Sequence, residues 1–245
     1  MAKKKAIVLI VEGPTDQVVM EPLNNLIDNH RFKIKVIGGD SYSSVINRNT
    51  PSRNIVGDIM KSVMQETKFK PQDIHLVLQL VDTDGAFLTE DTFVTDNTST
   101  PFNGKSYCYD LEKREVQLNS DEAKSALIGH WQQKGQHLKA LCKGVQYSKL
   151  NIPYFLFFNS LNLEHVTGNH ILEDSEKDIA ALEFIEEIGC DTVKLIEFFQ
   201  SKCPYTSYEQ SWQEIMIDEN WHESKSNVPF LIEKIIETEQ LENQS

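Results

Sequence analysis

The amino-acid sequence predicts an α/β protein in which a mostly parallel sheet is flanked by helices. Short apolar runs of strand length alternate with helix-like segments, and glycine or acidic residues follow the runs directly. Strands that alternate with helices in this way form parallel sheets through right-handed crossovers. We also expect an insertion between the third and fourth strands and a C-terminal helical layer.

The first half of the chain contains three predicted strands and two predicted helices. The first strand is an unbroken apolar run, the second alternates, the third is mostly apolar, and the helices place apolar residues three or four positions apart. In chain order we predict a strand at 6–11, a helix at 16–29, a strand at 32–37, a helix at 53–67 and a strand at 74–81. Turn residues close the first two strands, at Gly13-Pro14 and at Gly38-Gly39.

The second half contains one more strand, an insertion before it and helices after it. Residues 152–158 form an apolar run of strand length. Within the insertion we predict a hairpin around 105–118 and a helix from 120 to about 143, and the pattern is helical from 174 almost to the end. The predicted organisation is an α/β domain at 1–172, with an insertion at about 86–150, and an acidic helical region at 173–245.

Charge is distributed unevenly along the chain. The net charge is −13, yet residues 1–75 hold 11 Lys and Arg against 8 Asp and Glu, whereas residues 171–245 hold 5 against 18. A protein this acidic does not coat nucleic acid non-specifically, so a polyanion would meet the N-terminal region or be held through bound cations. We expect the acidic C-terminal helices to be a solvated surface or a face that binds a protein partner.

Cysteine spacing and hydropathy indicate a cytoplasmic protein. The four cysteines are scattered and form no C-x-x-C pair, which argues against a zinc site and a disulfide framework. The longest apolar runs are too short to span a bilayer, and the lysines at 3–5 lead into the first strand without a signal-peptide pattern. We therefore expect no association with a membrane.

Acidic residues follow three of the four predicted strands. Glu12 follows the first strand, Asp82 and Asp84 follow the third, and Glu164 follows the fourth. Ligands of open parallel sheets bind beyond the carboxyl ends of the strands, where these side chains would meet. Carboxylates packed together repel one another, and a divalent cation relieves that repulsion. The sequence thus predicts a Mg²⁺ or Mn²⁺ site, in which an extended D-x-D directs Asp82 and Asp84 to one ion.

The segments E-G-P-T-D, G-G and D-T-D-G follow the first three strands in that order. This order resembles the Toprim domain shared by topoisomerases, primases, small ribonucleases and the OLD (overcoming lysogenization defect) family of nucleases. The Gly38-Gly39 loop followed by Ser41, and Glu164 within N-L-E-H, are most similar to the OLD-like subgroup. The resemblance covers residues 6–84 and 152–165, and the chain has no ATPase P-loop.

The resemblance implies a metal-dependent nuclease that acts on DNA or RNA. Its catalytic residues would be Glu12, Asp82 and Asp84, and these three with Asp16 and Glu164 would be the metal ligands. The residues expected to contact the nucleic acid are Lys33, Lys35, Gly38, Gly39, Arg48, Arg53 and His165.

Two other functions stay open at this point. V-D-T-D-G also resembles the first motif of haloacid-dehalogenase-type phosphatases, in which Asp82 would be the nucleophile and Asp84 the acid. Two strands precede the motif here, however, and Ala86 stands where that family has Thr. The other alternative is a non-catalytic Toprim-like binding subunit that acts through a protein partner.

Several candidate residues also have a purely structural interpretation. Asp16 is placed to cap a helix, Gly38 and Gly39 to supply a turn with positive φ, and His165 to pack or cap.

Overall fold

A computed structural model describes residues 5–27, 31–38, 41–42, 47, 49–96, 106–147, 151–168, 172, 174–217 and 219–243 of the chain. A five-stranded, mostly parallel sheet is flanked by helices, which confirms the predicted α/β class. The elements are β1 (Ala6–Val11), α1 (Pro14–Met20), β2 (Phe32–Val36), α2 (Ser52–Thr67), β3 (Ile74–Asp82), β4 (Phe93–Thr95), β5 (Tyr107–Asp110), β6 (Glu115–Leu118), α3 (Asp121–Leu141), β7 (Val145–Tyr147), β8 (Ile152–Asn159), α4 (Leu163–Gly168), α5 (Asp174–Ile188), α6 (Thr192–Ser201), α7 (Tyr208–Ile215) and α8 (Val228–Asn243).

The main sheet has the strand order β2-β1-β3-β8-β7. The first four strands are parallel, and the short β7 pairs with β8 in the antiparallel direction at one edge. Every residue of β1 is buried, as expected of a central strand that is covered on both faces. The four predicted strands are therefore direct neighbours, and their carboxyl ends meet at one edge of the sheet.

The C-terminal helices belong to the same hydrophobic core as the sheet. Phe184, Leu195, Phe199 and Leu231 lie in one cluster with the residues of the strands. The Trp212 indole N–H and the Tyr208 hydroxyl both donate hydrogen bonds to the carbonyl of Leu156 in β8. The acidic C-terminal region is thus a helical layer, as expected, and its apolar side completes the core of the α/β domain.

The insertion between β3 and β8 forms a small second sheet with the order β4-β6-β5. The antiparallel β5–β6 pair is the predicted hairpin, and β4 lies parallel to β6. A separate hydrophobic cluster joins this sheet to α3 and to two residues outside the insertion. Its buried members are Phe93, Val116, Leu118, Trp131, Leu161 and Trp221.

Two features differ from the expectations. The helix predicted at 16–29 is α-helical only to Met20 and continues as a 3₁₀ helix over Glu21–Leu26. Pro22 explains the change, because a proline inside an α-helix lacks the N–H donor and clashes with the carbonyl four residues earlier. The three-residue strands β4 and β7 are too short to leave a periodic pattern in the sequence.

Within the described residues, none of the helices combines the length and the apolar character that crossing a membrane requires. The expected cytoplasmic location stays a prediction.

Candidate functional site

Three of the predicted carboxylates come together at the carboxyl edge of the main sheet. Glu12 directly follows β1, and Asp82 is the last residue of the adjacent parallel strand β3. The ammonium nitrogen of Lys134 lies 2.6 Å from Asp84 Oδ2 and 3.8 Å from Glu12 Oε1. The Glu12 and Asp84 carboxylates are therefore within reach of a single ammonium group.

Asp16 and Glu164 extend this group of carboxylates, and both are buried. Asp16 lies in the first turn of α1, where its Oδ2 accepts a hydrogen bond of 2.7 Å from the Gly13 backbone N–H. Glu164 lies in the first turn of α4, and its Oε1 is 3.8 Å from the ammonium nitrogen of Lys177 in α5. Asp16 therefore caps the start of α1, as the structural interpretation expects, and also lies beside the other carboxylates.

Burial and mutual repulsion shift the ionisation of two of these groups. The pKa of Asp82 lies well above its usual range because the side chain is desolvated and because Asp16, Glu12 and Asp84 repel its charge, while Lys134 opposes the shift. Burial raises the pKa of Asp16 to about 6; the Gly13 N–H lowers it, and repulsion by Glu164 adds to the rise. The five acidic side chains therefore form one electrostatic group, the carboxylate cluster.

Lys134 is fully buried and comes from helix α3 of the insertion. Two glycines allow this helix to approach the loop after β3. A Cβ atom on Gly85 would lie 1.9 Å from Cε3 of Trp131, and one on Gly135 would lie 2.5 Å from the carbonyl oxygen of Ala86. The glycine of D-T-D-G is therefore needed for the close approach that brings Lys134 to the carboxylates.

The D-T-D segment is not extended, so the expectation that Asp82 and Asp84 point the same way as alternate strand residues is wrong. Strand β3 ends at Asp82, and Asp84 adopts a φ of +44°. The Asp84 N–H donates to the Leu161 carbonyl at 2.8 Å, and the Leu161 N–H donates to Thr83 Oγ1 at 2.9 Å. This bridge to the loop after β8 turns Asp84 out of the strand, and aspartate tolerates the left-handed conformation better than most residues do.

Lys33 and Lys35 lie along β2 rather than at its carboxyl end. They pair in register with Val8 and Ile10 of β1, before the strand reaches Glu12. The Lys35 ammonium also forms an ion pair of 2.6 Å with Glu66 of α2. Neither lysine is placed beside the carboxylate cluster.

His165 is wholly buried, which is contrary to its expected contact with substrate. Its Nδ1 lies 3.3 Å from the Ser160 carbonyl oxygen and its Nε2 lies 3.1 Å from the His222 carbonyl oxygen. Burial also lowers the pKa of the ring, so the neutral imidazole is favoured. The structural interpretation of His165 therefore replaces the substrate-binding one.

The other predicted contacts with nucleic acid lie elsewhere. Arg53 is exposed in the first turn of α2. Gly38 is exposed with a φ of +73° and open space around its Cα, which agrees with a turn residue. Gly39 and Arg48 lie outside the described residues.

Sequence reasoning missed the basic and neutral groups around the carboxylate cluster. Lys134 had one visible signal: Trp131 and Leu138 lie three and four residues away, so this lysine falls on the apolar face of α3. Asn159 lies beside Asp82 in the register of β3 and β8, is fully buried, and accepts a hydrogen bond of 2.9 Å from the Ser226 hydroxyl through Oδ1. Tyr109 of the insertion is close enough for the charges of Asp84 and Asp82 to act on its hydroxyl.

The chemistry of the carboxylate cluster suits a hard divalent cation, because Mg²⁺ and Mn²⁺ prefer oxygen ligands. In the part of the chain that the structure describes, however, no three His, Cys, Asp or Glu side chains are grouped so that they could hold an ion. Lys134 supplies the positive charge nearest to Glu12 and Asp84. A divalent ion would thus meet suitable ligand atoms, but these side chains would have to rearrange around it.

Comparison with known proteins identifies no relative of this chain. No family model, no curated protein and no solved structure matches the chain.

Proposed function

We propose that this protein is a Mg²⁺- or Mn²⁺-dependent phosphodiesterase that cleaves nucleic acid. The observation that carries the proposal is the buried carboxylate cluster, in which repulsion and burial hold the pKa of Asp82 far above its usual range. Groups with such strongly perturbed ionisation concentrate at functional sites, because folding alone gains nothing from placing like charges together. The resemblance of E-G-P-T-D and D-T-D-G to the Toprim domain points to the same chemistry.

The proposed roles follow from the positions of the side chains. After the rearrangement that a divalent ion requires, Glu12, Asp82 and Asp84 would hold the cation, and Asp16 and Glu164, which belong to the same electrostatic group, would be further ligands. When bound, the cation would supply positive charge that stabilises the phosphodiester oxygens. Glu12 serves as a ligand or as the general base that takes a proton from the attacking water. The Lys134 ammonium orients Asp84 through their 2.6 Å contact.

Binding of nucleic acid is expected to be weak and sensitive to salt. The net charge of −13 opposes capture of a polyanion, and Lys35 is already paired with Glu66. Among the predicted phosphate contacts in the described residues, the Arg53 side chain is exposed at the surface and could meet a phosphate there. A partner that delivers the nucleic acid would raise the affinity.

The proposal is tested by comparing wild-type protein with Glu12→Ala on labelled DNA and RNA, with Mg²⁺ or Mn²⁺ at low salt. We expect cleavage by the wild type and none by Glu12→Ala, because the variant lacks a carboxylate of the cluster. Either cation should also raise the Tm of the wild type by relieving repulsion, and raise that of Glu12→Ala less. Glu21→Ala, an exposed position in the same segment, is the matched control and should behave as wild type.

The same experiment separates the two alternatives. Release of inorganic phosphate from a monoester without strand cleavage would favour the phosphatase. The Asp84 contact with Lys134 argues against that reading, because Asp84 accepts a hydrogen bond there instead of donating a proton. Intact DNA and RNA under every condition would instead favour the binding subunit. That reading has some support in α5, where Ile179 and Leu182 are 60% and 56% exposed among acidic residues.

A further inference from the structure

The insertion brings a rigidly held tyrosine to the carboxylate cluster. Tyr109 lies in β5, and its ring stacks on Trp131 with a centroid separation of 5.8 Å and an interplanar angle of 9°. The ring of Tyr107 packs edge-on against the Tyr109 ring with a centroid separation of 5.7 Å, and the Trp221 ring lies 6.2 Å from the Tyr109 ring. Contacts with three aromatic rings fix the direction of the Tyr109 side chain.

The hydroxyl of Tyr109 lacks the partner that a buried hydroxyl normally has. Its oxygen is buried and forms no hydrogen bond with any residue in the described ranges. Burial, the neighbouring Tyr107 and the charges of Asp84 and Asp82 all raise its pKa well above the usual value. The side chain is therefore a neutral phenol, which donates a hydrogen bond rather than acting as a nucleophile. A buried polar group without a partner is costly, and a ligand that completes it accounts for its retention.

We infer that Tyr109 is a catalytic residue of the carboxylate site, whose hydroxyl donates a hydrogen bond to a non-bridging phosphate oxygen of the bound nucleic acid. The inference rests on the proposed function and extends it from the sheet to the insertion. A phosphate bound at this site would lie close to Asp82 and Asp84, whose charges already repel one another, and would add to that repulsion. A neutral donor fixed beside them offsets part of that repulsion without adding a positive charge that would compete with the cation for the carboxylates.

This inference gives the insertion a definite role. Trp131 of α3 holds Tyr109 on its face, and Lys134 lies one turn further along the same helix. The hairpin and the helix therefore place a neutral donor and a positive charge at the site together. Both depend on the close packing of Trp131 against Gly85 of D-T-D-G.

The test compares Tyr109→Phe with Tyr107→Phe in steady-state cleavage of a short labelled oligonucleotide with Mg²⁺. Both variants keep an aromatic ring beside Trp131, since Tyr107 packs edge-on against it at 5.4 Å. We expect kcat to fall about 100- to 1,000-fold in Tyr109→Phe, as for the loss of one hydrogen bond to transition-state charge. KM should change much less than kcat, and Tm should be equal or slightly higher because an unsatisfied buried hydroxyl has been removed. Tyr107→Phe should keep kcat within about twofold.

The other outcomes overturn the inference in distinguishable ways. If the wild type is active and Tyr109→Phe has the same kcat as the wild type, this inference is wrong and the proposed function stays in place. Equal losses in both variants, or a loss that follows a lower Tm, would assign Tyr109 a structural role. A denaturation-resistant adduct between protein and nucleic acid that Tyr109→Phe lacks would make Tyr109 a nucleophile instead. A wild type that cleaves neither DNA nor RNA would overturn both proposals.

Discussion

Strand β3 carries two polar sites three residues apart, the fully buried Gln79 and the partly buried Asp82, and they differ in kind. At Gln79, the side-chain Oε1 accepts hydrogen bonds from the Tyr42 hydroxyl at 2.9 Å and the Tyr154 hydroxyl at 2.6 Å. At Asp82, the neighbours are other carboxylates that repel it, and Lys134 compensates only in part. Buried polarity alone therefore does not mark a functional site. The Gln79 oxygen has neutral donors, although its Nε2 is buried without a hydrogen bond in the described residues, and clustered like charges are the stronger indication of a functional site.

The difference also determines which conditions affect each site. Hydrogen bonds between neutral groups contribute modestly to stability and do not depend on pH in the accessible range. The cost of clustered carboxylates changes with their protonation and with bound cations. Variants at the two sites should therefore respond differently to pH and to Mg²⁺.

The largest effect is expected from Lys134→Met, which removes the compensating charge. The variant should lose about 3–5 kcal/mol of unfolding free energy near neutral pH, because the buried carboxylates are left without their ammonium partner. The loss should shrink toward pH 5, below the Asp16 pKa of about 6, because protonation of Asp16 and of Asp82, whose pKa is also raised, reduces the repulsion. Urea denaturation at both pH values measures it.

The control is Lys61→Met, which breaks an exposed ion pair with Asp58 on α2. Its cost should stay within about 0.5 kcal/mol at either pH. A Lys134→Met loss of the same size at pH 5 and at neutral pH would mean that packing of the lysine stem matters more than its charge.

The two sites on β3 were not equally visible in the sequence. Asp82 interrupts an apolar run at the end of a strand, and the rule that ligands bind at carboxyl ends of parallel strands directed attention to it. The strands themselves were predictable because buried parallel strands are rich in apolar residues, and 6–11 and 74–81 agree with β1 and β3 within one residue.

The sequence could place Lys134 on the apolar face of α3 but could not assign it to the carboxylates, since it comes from a distant part of the chain. Lys134 lies fifty residues after Asp84 and reaches it only because Gly85 and Gly135 let α3 approach the loop after β3. Charge patterning treats such a lysine as solvated surface. The left-handed φ of Asp84 was missed for a similar reason, because its cause is the bridge to Leu161 and not the D-T-D segment itself.

A smaller effect is expected from Gln79→Leu, at the neutral site. The leucine leaves the buried Tyr42 and Tyr154 hydroxyls without their shared acceptor, so the variant should lose about 2 kcal/mol. The loss should be the same at pH 5 and pH 8 and should not change with Mg²⁺. A response to Mg²⁺ in this variant would show that the two sites are coupled, and the distinction between them would fail.

The smallest effect, and the one with the sharpest pH dependence, is expected from Asp16→Asn. The pKa of Asp16 is about 6 in the folded protein against an ordinary value of 3.8, so the folded state holds a proton that the unfolded state releases between these values. Stability therefore falls as the pH rises from about 4 to about 6, and the full penalty is present above that window.

Asparagine removes the charge and can still accept the hydrogen bond from the Gly13 N–H, so Asp16→Asn should be more stable than wild type at pH 8 and equal to it at pH 4. The net shift, to which the attraction of Lys177 already contributes, sets a ceiling of about 3 kcal/mol, and a gain of about 1–2 kcal/mol is expected because relaxation and water penetration reduce the cost of a buried charge. Urea denaturation across this range measures the gain, with Asp58→Asn on the exposed face of α2 as the control.

Under the proposed function, Mg²⁺ should reduce the gain at pH 8, because the cation stabilises the wild-type carboxylate and not the amide. If Mg²⁺ leaves the gain at pH 8 unchanged, the charge of Asp16 is repelled by its neighbours but Asp16 is not a metal ligand.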